Sequence, residues 1–285
     1  MSGNNLDQGS PRVLAVANQK GGVGKTTTAI NLGTAMAAIG QCVLIVDMDP
    51  QGNASTGLGI AHDDRNISTF DVLMDPNIVT QALLATAVPG LLLMPSTLDL
   101  LGVENELANS PDRSFRLKQG IDLIKNIQIK TAAGTKPFDY IIIDCPPSFN
   151  LLTINAMAAA QSVLVPVQAE FFALEGLSQL TNSIEEFQRL LNPSLEIMGI
   201  VLTMVDERTK LSKSVAEEVK SVFGKKLYDT VIPRNVSVSE APSFGKPVLL
   251  YDLQASGSKA YIDLAKEIIQ NEGVIEQTPE LRAVK

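Results

Sequence analysis

The chain has 285 residues, of which 45% are hydrophobic and 19% are charged, which is enough for one large α/β domain with a substantial buried core. The net charge of -8 argues against a protein that coats nucleic acid with its whole surface, although it allows a local basic patch. Two widely separated cysteines and a single histidine argue against C-x-x-C metal or redox sites and against a histidine-based catalytic triad.

Short apolar runs alternate with longer segments of helical periodicity. Nearly continuous apolar runs such as VLIVD, YIIID and SVLVPV are typical of strands that are buried on both faces of a parallel sheet. Strands are predicted over 13–18, 42–47, 91–94, 140–144, 162–167, 197–205 and, more weakly, 227–232, and helices over 26–40, 97–110, 114–127, 173–191 and 212–223. This alternation predicts an α/β fold with a mostly parallel central sheet flanked by helices.

No change in composition marks a linker, so we expect a single domain over residues 12–270, between a flexible N-terminal tail (1–11) and a C-terminal tail (271–285). The first twelve residues lack the apolar core of a secretory signal. The C-terminal tail lacks the pattern of a basic amphipathic helix that would attach to a membrane. A cytoplasmic protein without membrane attachment is therefore expected.

The first predicted strand runs into a glycine-rich loop, and a helix is expected to open at Thr26. Residues 19–28 read QKGGVGKTTT. Glycines allow backbone N–H groups to turn toward an anion, and the helix N-terminus adds its dipole. The segment therefore predicts a nucleotide site, with Lys25 on the β- and γ-phosphates, the Thr26 hydroxyl on Mg²⁺ and Thr27 on the α-phosphate.

Aspartates close two of the apolar strands. VLIVDMDPQG contains Asp47 and Asp49, and FDYIIIDCPPS contains Asp144. An aspartate at the end of an apolar strand is typical of the Walker B position, so Asp144 and Asp47 are candidate Mg²⁺ ligands, through water, beside Thr26. Asp49 is closer to the glycine loop and is the better candidate to orient an attacking water. The alternative interpretation is that these aspartates only cap strand ends.

Five segments, in this order, resemble the ParA/Soj partition ATPases, which belong to the larger ParA–MinD group with a deviant Walker A loop. They are KGGVGKTT, DMDPQGNASTGLG, DYIIIDCPPSFNLLTINAM, EFFALEGLSQL and VIPRNVSVSEAPSFGKPVLLYD, and the resemblance covers residues 12–270. It implies a P-loop ATPase that uses ATP and Mg²⁺ and forms an ATP-sandwich homodimer. It also implies non-specific binding of double-stranded DNA, location on the nucleoid, and slow hydrolysis stimulated by a ParB-like partner during chromosome or plasmid segregation.

The resemblance also implies roles for individual residues. It makes Lys20 the signature lysine and Asp49 the hydrolytic aspartate, so that Lys20, Lys25 and Asp49 form the expected catalytic set. The expected nucleotide-binding residues are Lys20, Gly21, Gly22, Val23, Gly24, Lys25, Thr26 and Thr27, with Pro233 and Arg234 at the base. Because a cation supplied in trans can stabilise phosphoryl transfer, our hypothesis is that Lys20 reaches the partner subunit's phosphates. The alternative is a solvated surface lysine.

Basic residues gather in the segment 208–226, which contains acidic residues too. The candidate DNA contacts are Arg189, Arg208, Lys210, Lys213 and Lys220. Dimerisation would double such a patch, and counterion release would make its contacts additive. The alternative is a salt-bridged surface helix in which Glu217 pairs with Lys213. Ser237 departs from the pattern of many chromosomal relatives, which carry a basic residue at this position.

Two rival functions remain open from the sequence. A MinD-like, membrane-associated positioning ATPase would need the basic amphipathic C-terminal helix that this tail lacks. A metabolic P-loop enzyme would need a substrate pocket, which the sequence does not identify, and would have no need of Lys20.

Overall fold

The computed structural model describes residues 10–131, 134–170, 172–206 and 208–273. Residues 1–9 and 274–285, which are most of the two predicted tails, lie outside the described residues. The second range includes most of the C-terminal segment that was expected to lack a membrane helix. Among the helices that are described, none is long and apolar enough to cross a membrane.

The described residues form nine strands and eleven α-helices, together with short 3-10 turns. The strands are β1 (Arg12–Val16), β2 (Val43–Asp47), β3 (Leu84–Ala85), β4 (Leu91–Met94), β5 (Ile129–Thr131), β6 (Gly134–Lys136), β7 (Tyr140–Asp144), β8 (Ser162–Gln168) and β9 (Glu196–Thr203). The helices are α1 (Lys25–Ala38), α2 (Asn53–Gly57), α3 (Thr69–Met74), α4 (Val103–Glu106), α5 (Arg116–Ile124), α6 (Leu151–Ala159), α7 (Ala173–Leu190), α8 (Lys210–Phe223), α9 (Val236–Glu240), α10 (Val248–Tyr251) and α11 (Ser256–Asn271).

Seven strands form one sheet in the order β3-β4-β2-β7-β1-β8-β9. All neighbours pair in parallel except β3, which runs antiparallel to β4. Strands β5 and β6 form a separate antiparallel pair. The prediction of an α/β fold with a mostly parallel sheet is therefore confirmed. Because parallel strands end at the same edge, Asp47 and Asp144 are register partners at the carboxyl end of the sheet.

The strands bury side chains on both faces of the sheet. In β1, Val13 and Ala15 enter one core, while Leu14 and Val16 enter the other. Helices α3 to α8 cover the first face, and α1, α10 and α11 are prominent on the second. A strand with two buried faces has no polar alternation, which explains the continuous apolar runs in the sequence.

Helix α1 packs closely on the second face. A Cβ on Gly33 would come within 2.9 Å of the Ile45 side chain in β2, so the glycine allows the helix axis to approach the sheet. The close contact holds the N-terminus of α1, at Lys25, over the carboxyl ends of the central strands.

Two sequence predictions are wrong in detail. The segment 227–232 is not a strand, because it makes a single isolated bridge, Leu227 with Ile200; a second bridge, Pro233 with Val205, lies just beyond it. The helix expected over 97–110 is a 3-10 turn, Leu98–Gly102, followed by the short helix α4. Helix α11 was not predicted, although its buried Tyr261, Leu264 and Ile268 have helical spacing that could have identified it.

Candidate nucleotide-binding site

The loop between β1 and α1 depends on two glycines in left-handed conformations. Gly22 has φ +75° and Gly24, the N-cap of α1, has φ +87°. Residues other than glycine rarely adopt these backbone angles. A loop of this kind turns successive N–H groups toward one point and ends at a helix N-terminus, so it is suited to hold phosphate oxygens.

Lys25 is the first residue of α1 and is largely buried. Its Nζ donates to the backbone carbonyl of Lys20 at 3.1 Å. Desolvation lowers the pKa of the Lys25 ammonium, whereas Asp144, Cys145 and Asp49 oppose that change. An anion in the adjoining cleft would stabilise the charged form further, so the position favours a phosphate.

Asp144 is fully buried at the end of β7, and neither carboxylate oxygen has a hydrogen-bond partner among the described residues. Burial raises the pKa of Asp144 well above its ordinary value, and the neighbouring Asp47 adds to the rise, while the nearby Thr26 hydroxyl and the Lys25 ammonium oppose it. A buried carboxylate without partners is costly unless a cation satisfies it. Carboxylate and hydroxyl oxygens are donors that Mg²⁺ accepts, so Asp144 and Thr26 fit a magnesium site.

Asp47 has a different set of partners. Its Oδ2 accepts from the Ser55 amide at 2.8 Å and from the Ser55 hydroxyl at 2.7 Å, and its Oδ1 accepts from the Asp49 amide at 3.3 Å. Burial raises the pKa of Asp47 to about 6 in spite of these bonds. Because both oxygens already organise the loop after β2, the contacts of Asp47 do not support the expectation that it holds the metal. We therefore leave it out of the proposed ligands.

A cleft lies between the glycine loop and the ends of β2 and β7, and we call it the phosphate cleft. It is lined by Gly21, Gly22, Gly24, Lys25, Thr26, Thr27, Asp49, Asn53, Pro147 and Met204. The structure thus brings Asp49 to the same space as the loop. Sequence reasoning missed Asn53, the first residue of α2.

A second cleft, which we call the base cleft, adjoins the first. Its lining includes Thr203, Ile232, Pro233, Arg234, Val238 and Tyr261. Gly24, Thr27 and Met204 line both clefts, so the two form one continuous groove. Pro233 and Arg234 therefore lie beside the end of the groove that is remote from Asp49.

Met204 joins the two clefts in an unusual backbone conformation. Among the residues that the structure describes, it is the one non-glycine residue with positive φ, at +52°. A non-glycine residue in this region is strained, and such strain occurs often at ligand sites. No local sequence signal marks Met204, which follows the end of β9 directly.

Two expected binding residues lie outside the groove. The Val23 side chain is buried, and its backbone carbonyl accepts from the Thr203 hydroxyl at 2.8 Å. Lys20 does not line the phosphate cleft. Its Nζ pairs with Glu170 Oε2 at 2.8 Å, with both side chains nearly half exposed. The two lysines of one loop thus lie in different environments.

The candidate DNA contacts all lie on the surface, on α7, on α8 or just before α8. They are Arg189 in α7, Arg208 before α8, and Lys210, Lys213 and Lys220 in α8. Arg208 is already paired, since its guanidinium donates to both carboxylate oxygens of Asp206 at 2.8 and 2.7 Å.

The ion pairs around α8 differ from those expected. Lys220 lies 3.6 Å from Asp229. The expected pair between Lys213 and Glu217 is not among the ion pairs of the described residues. The Ser237 hydroxyl donates to Asp252 at 3.1 Å.

Comparison with known proteins places this site in a family. The family model described as an AAA domain matches residues 11–197. The chain is 58% identical over 261 residues to the chromosome partitioning protein ParA of Caulobacter vibrioides (strain NA1000 / CB15N), covering 92% of this chain and 95% of that protein. The chain belongs to the ParA/Soj family of partitioning ATPases. It is also 51% identical over 260 residues to the sporulation initiation inhibitor protein Soj of Bacillus subtilis (strain 168), covering 91% and 99% of the two chains.

A solved structure extends the likeness within the ParA/Soj fold. A protein described as cobyrinic acid a,c-diamide synthase from Mycobacterium smegmatis, with bound ADP and magnesium, superimposes with a TM-score of 0.78 at 33% identity. The match covers 96% of this chain and 100% of that chain. This chain is an ATPase with ATP and Mg²⁺ as cofactors. The predicted family, fold and cofactors are confirmed, while the roles of single residues stay predictions.

Proposed function

We propose that this chain segregates replicated DNA through a cycle of ATP-dependent dimerisation, DNA binding and release on hydrolysis. The observation that carries the proposal is the position of Lys20. A lysine that served its own subunit's phosphates would line the phosphate cleft as Lys25 does, but Lys20 lies outside it. The printed names of the ParA and Soj relatives support the same cellular role.

Within one subunit we assign the phosphates to the glycine loop, Lys25 and Thr27, and the base to the cleft beside Pro233 and Arg234. Thr26 and Asp144 would hold the magnesium ion, as their oxygen donors and the unmet hydrogen-bonding capacity of Asp144 support. The ion, when bound, neutralises charge that develops on the transferred phosphate.

Asp49 is assigned to orient the attacking water. Asp49 lines the phosphate cleft together with residues of the glycine loop. Its Oδ1 accepts from the Gln51 amide at 3.0 Å, which fixes one face of the carboxylate. The remaining acceptor capacity can direct a water toward the γ-phosphate position.

Lys20 is assigned to the other subunit's phosphates. Phosphoryl transfer spreads negative charge over the γ-phosphate oxygens, and a cation inserted from a partner can stabilise that charge. To reach across, Lys20 must leave Glu170. Because this ion pair is nearly half exposed, its rupture costs at most about 1 kcal/mol.

Dimerisation would place two copies of the basic surface formed by Arg189, Lys210 and Lys213 on one particle. Contacts to phosphates add through counterion release, so a dimer binds DNA far more tightly than a monomer. ATP would thereby control attachment to DNA and to the nucleoid. A ParB-like protein that stimulates hydrolysis would return the dimer to monomers and release the DNA.

Three measurements on the purified chain test this function. Light scattering with ATP and with ADP should show dimers only with ATP, and the dimer should disappear in Lys20→Ala. Co-sedimentation with duplex DNA should require ATP and weaken steeply with salt. Turnover should rise with DNA plus the ParB-like protein of the same genome.

Contrary outcomes are equally specific. Equal, salt-insensitive retention on DNA with ATP and ADP would remove the DNA cycle. Stimulation by anionic lipid vesicles instead of DNA would favour the MinD-like alternative, and stimulation by a metabolite would favour the metabolic one.

A further inference from the structure

Arg65 is a buried cation next to the loop that carries Asp49. It is 5% exposed and lies between α2 and α3. The hydrogen bonds that its guanidinium makes to described residues go to neutral oxygens. The acceptors are the carbonyls of Ile60 (2.8 and 3.3 Å), Ser96 (3.2 Å) and Gly52 (3.5 Å) and the hydroxyl of Thr56 (2.8 Å). The bonds join the turn after β2 to the segment after β4.

Two of these acceptors hold the backbone of Asp49. The Gly52 amide donates to the Asp49 carbonyl at 2.9 Å. The Ser96 hydroxyl donates to the same carbonyl at 2.5 Å. Arg65 is therefore linked to the Asp49 carbonyl through two different residues, Gly52 and Ser96.

The packing between Arg65 and the turn is tight. Gly52 has φ +62°, and a Cβ at this position would overlap Nη1 of Arg65 and lie 3.2 Å from the Ser96 carbonyl. The guanidinium thus occupies the space that a side chain at position 52 would need. The turn cannot shift toward Arg65 without displacing it.

A second set of bonds closes the arrangement from the other side. The Asp49 amide donates to Asp47, Asp47 accepts from the Ser55 hydroxyl, and that hydroxyl accepts from the Ser96 amide at 3.0 Å. Burial lowers the pKa of the Arg65 guanidinium, and the negative charge of Asp47 opposes that change. Asp49 is consequently held through its amide and its carbonyl by one buried network.

We propose that Arg65 is a positioning residue for ATP hydrolysis, which holds the turn 49–52 against Ser96 so that the Asp49 carboxylate faces the phosphate cleft. The proposal rests on the proposed role of Asp49. Arg65 lines neither the phosphate cleft nor the base cleft, so it acts on the rate of hydrolysis and leaves nucleotide affinity alone. A displacement of about 1 Å at a reacting group can reduce a rate about 100-fold.

The test replaces Arg65 by Met, which keeps much of the volume and removes every donor. We expect kcat to fall about 10- to 100-fold. The Kd for ATP, measured by titration of a fluorescent ATP analogue, and the yield of the ATP-dependent dimer should change less than about twofold. In Arg65→Ala, added guanidinium should restore several-fold of the lost kcat, because it replaces the missing donors.

The matched control is Arg116→Met. Arg116 also donates to a backbone carbonyl, that of Met74 at 2.7 Å, and to Asp112, but lies away from the phosphate cleft. The Arg116→Met substitution should lower the Tm and leave kcat near the parent value. If Arg65→Met does not fold, Gly52→Ala provides a second variant, since it pushes against the guanidinium and should also lower kcat selectively.

Three outcomes would overturn the proposal. The first is a loss of ATP affinity in proportion to kcat. The second is a kcat effect no larger than that of Arg116→Met at equal loss of Tm, with no guanidinium rescue. The third is parent activity in Arg65→Met. If Arg65→Met does not fold, parent activity in Gly52→Ala has the same meaning. Parent activity in Asp49→Ala would refute the role of Asp49 and this proposal together, whereas an inactive Asp49→Ala beside a fully active Arg65→Met refutes this proposal alone.

Discussion

The phosphate cleft and the basic surface formed by Arg189, Lys210 and Lys213 hold their charges in opposite ways. In the cleft, Lys25 and Asp144 are buried, and the two carboxylate oxygens of Asp144 have no hydrogen-bond partner in the described part of the chain. On the surface, Lys210 and Lys213 are exposed, and Arg208 is already paired with Asp206.

The two environments differ in the kind of ligand that they can recognise. A buried charge without a partner is costly, so the cleft selects a ligand that supplies the missing charge at a fixed position. An exposed charge is screened by salt and contributes little alone, so the surface depends on the number of its contacts. The proposed attraction to DNA rests on the second case, and the specificity of the cleft for a nucleotide rests on the first.

The largest effect is expected for Lys20→Ala. Removal of the trans cation should abolish the ATP-dependent dimer and lower stimulated turnover about 1000-fold. Binding of ATP to the monomer should persist, because Lys20 does not line the cleft. Light scattering, phosphate release and ATP titration measure the three quantities. Glu170→Gln, which frees Lys20, is the control and should still dimerise. A Lys20→Ala chain that dimerises and turns over like the parent would refute the trans role.

Asp49→Ala should lower kcat about 100-fold while ATP binding and dimerisation remain, because only the orientation of water is lost. The matched control is Asp63→Ala, an exposed carboxylate between the same two helices, α2 and α3. Phosphate release at saturating ATP reports the difference. Similar rates in the two variants would remove Asp49 from the chemistry.

Asp144→Asn should stabilise the chain in the absence of nucleotide by about 1–2 kcal/mol, because it removes a buried charge whose desolvation Thr26 and Lys25 offset only in part. Since the folded-state pKa of Asp144 is raised, the carboxylate penalty is absent below about pH 4 and grows as the pH rises through the raised pKa. The gain should therefore be larger at pH 8 than at pH 5. Urea unfolding at the two pH values measures it, and Mg²⁺ should no longer tighten ATP binding.

Lys213→Ala tests the basic surface. One lost contact per subunit becomes two per dimer, so the affinity for duplex DNA should fall about tenfold and the salt slope should decrease by about 2. The control is Lys118→Ala in α5, where the Lys118 ammonium pairs with Asp122. Fluorescence anisotropy over a salt series gives both numbers. An unchanged slope would move the DNA surface elsewhere.

The smallest effect is expected for Asp206→Asn. It releases Arg208 from its two-bond pair, so DNA affinity should rise about two- to threefold at low salt. Asp229→Asn removes only the longer contact with Lys220, at 3.6 Å, and should raise the DNA affinity less. If Asp206→Asn weakens binding, Asp206 orients Arg208 toward DNA instead of competing with it.

The sequence alone determined the sheet and the cleft to a large extent. Strands β4 and β7 have the predicted bounds, and the expected loop precedes α1. These features are local, because a buried strand needs a continuous apolar run and a phosphate loop needs glycines at fixed spacing. Parallel pairing then brings Asp49 and Asp144 to one edge, so their convergence with Lys25 was predictable.

The pairing of the remaining charges depends on contacts between distant parts of the chain. Glu170 pairs with Lys20 across 150 positions, Arg65 reaches Ser96 across 31, and Asp47 is bonded by Ser55 instead of facing the cleft unpaired. Met204 takes a positive φ directly after β9, and 227–232 is not a strand because it makes a single isolated bridge, through Leu227. Such contacts depend on which distant side chains the fold buries together, and no local pattern of residue types records that.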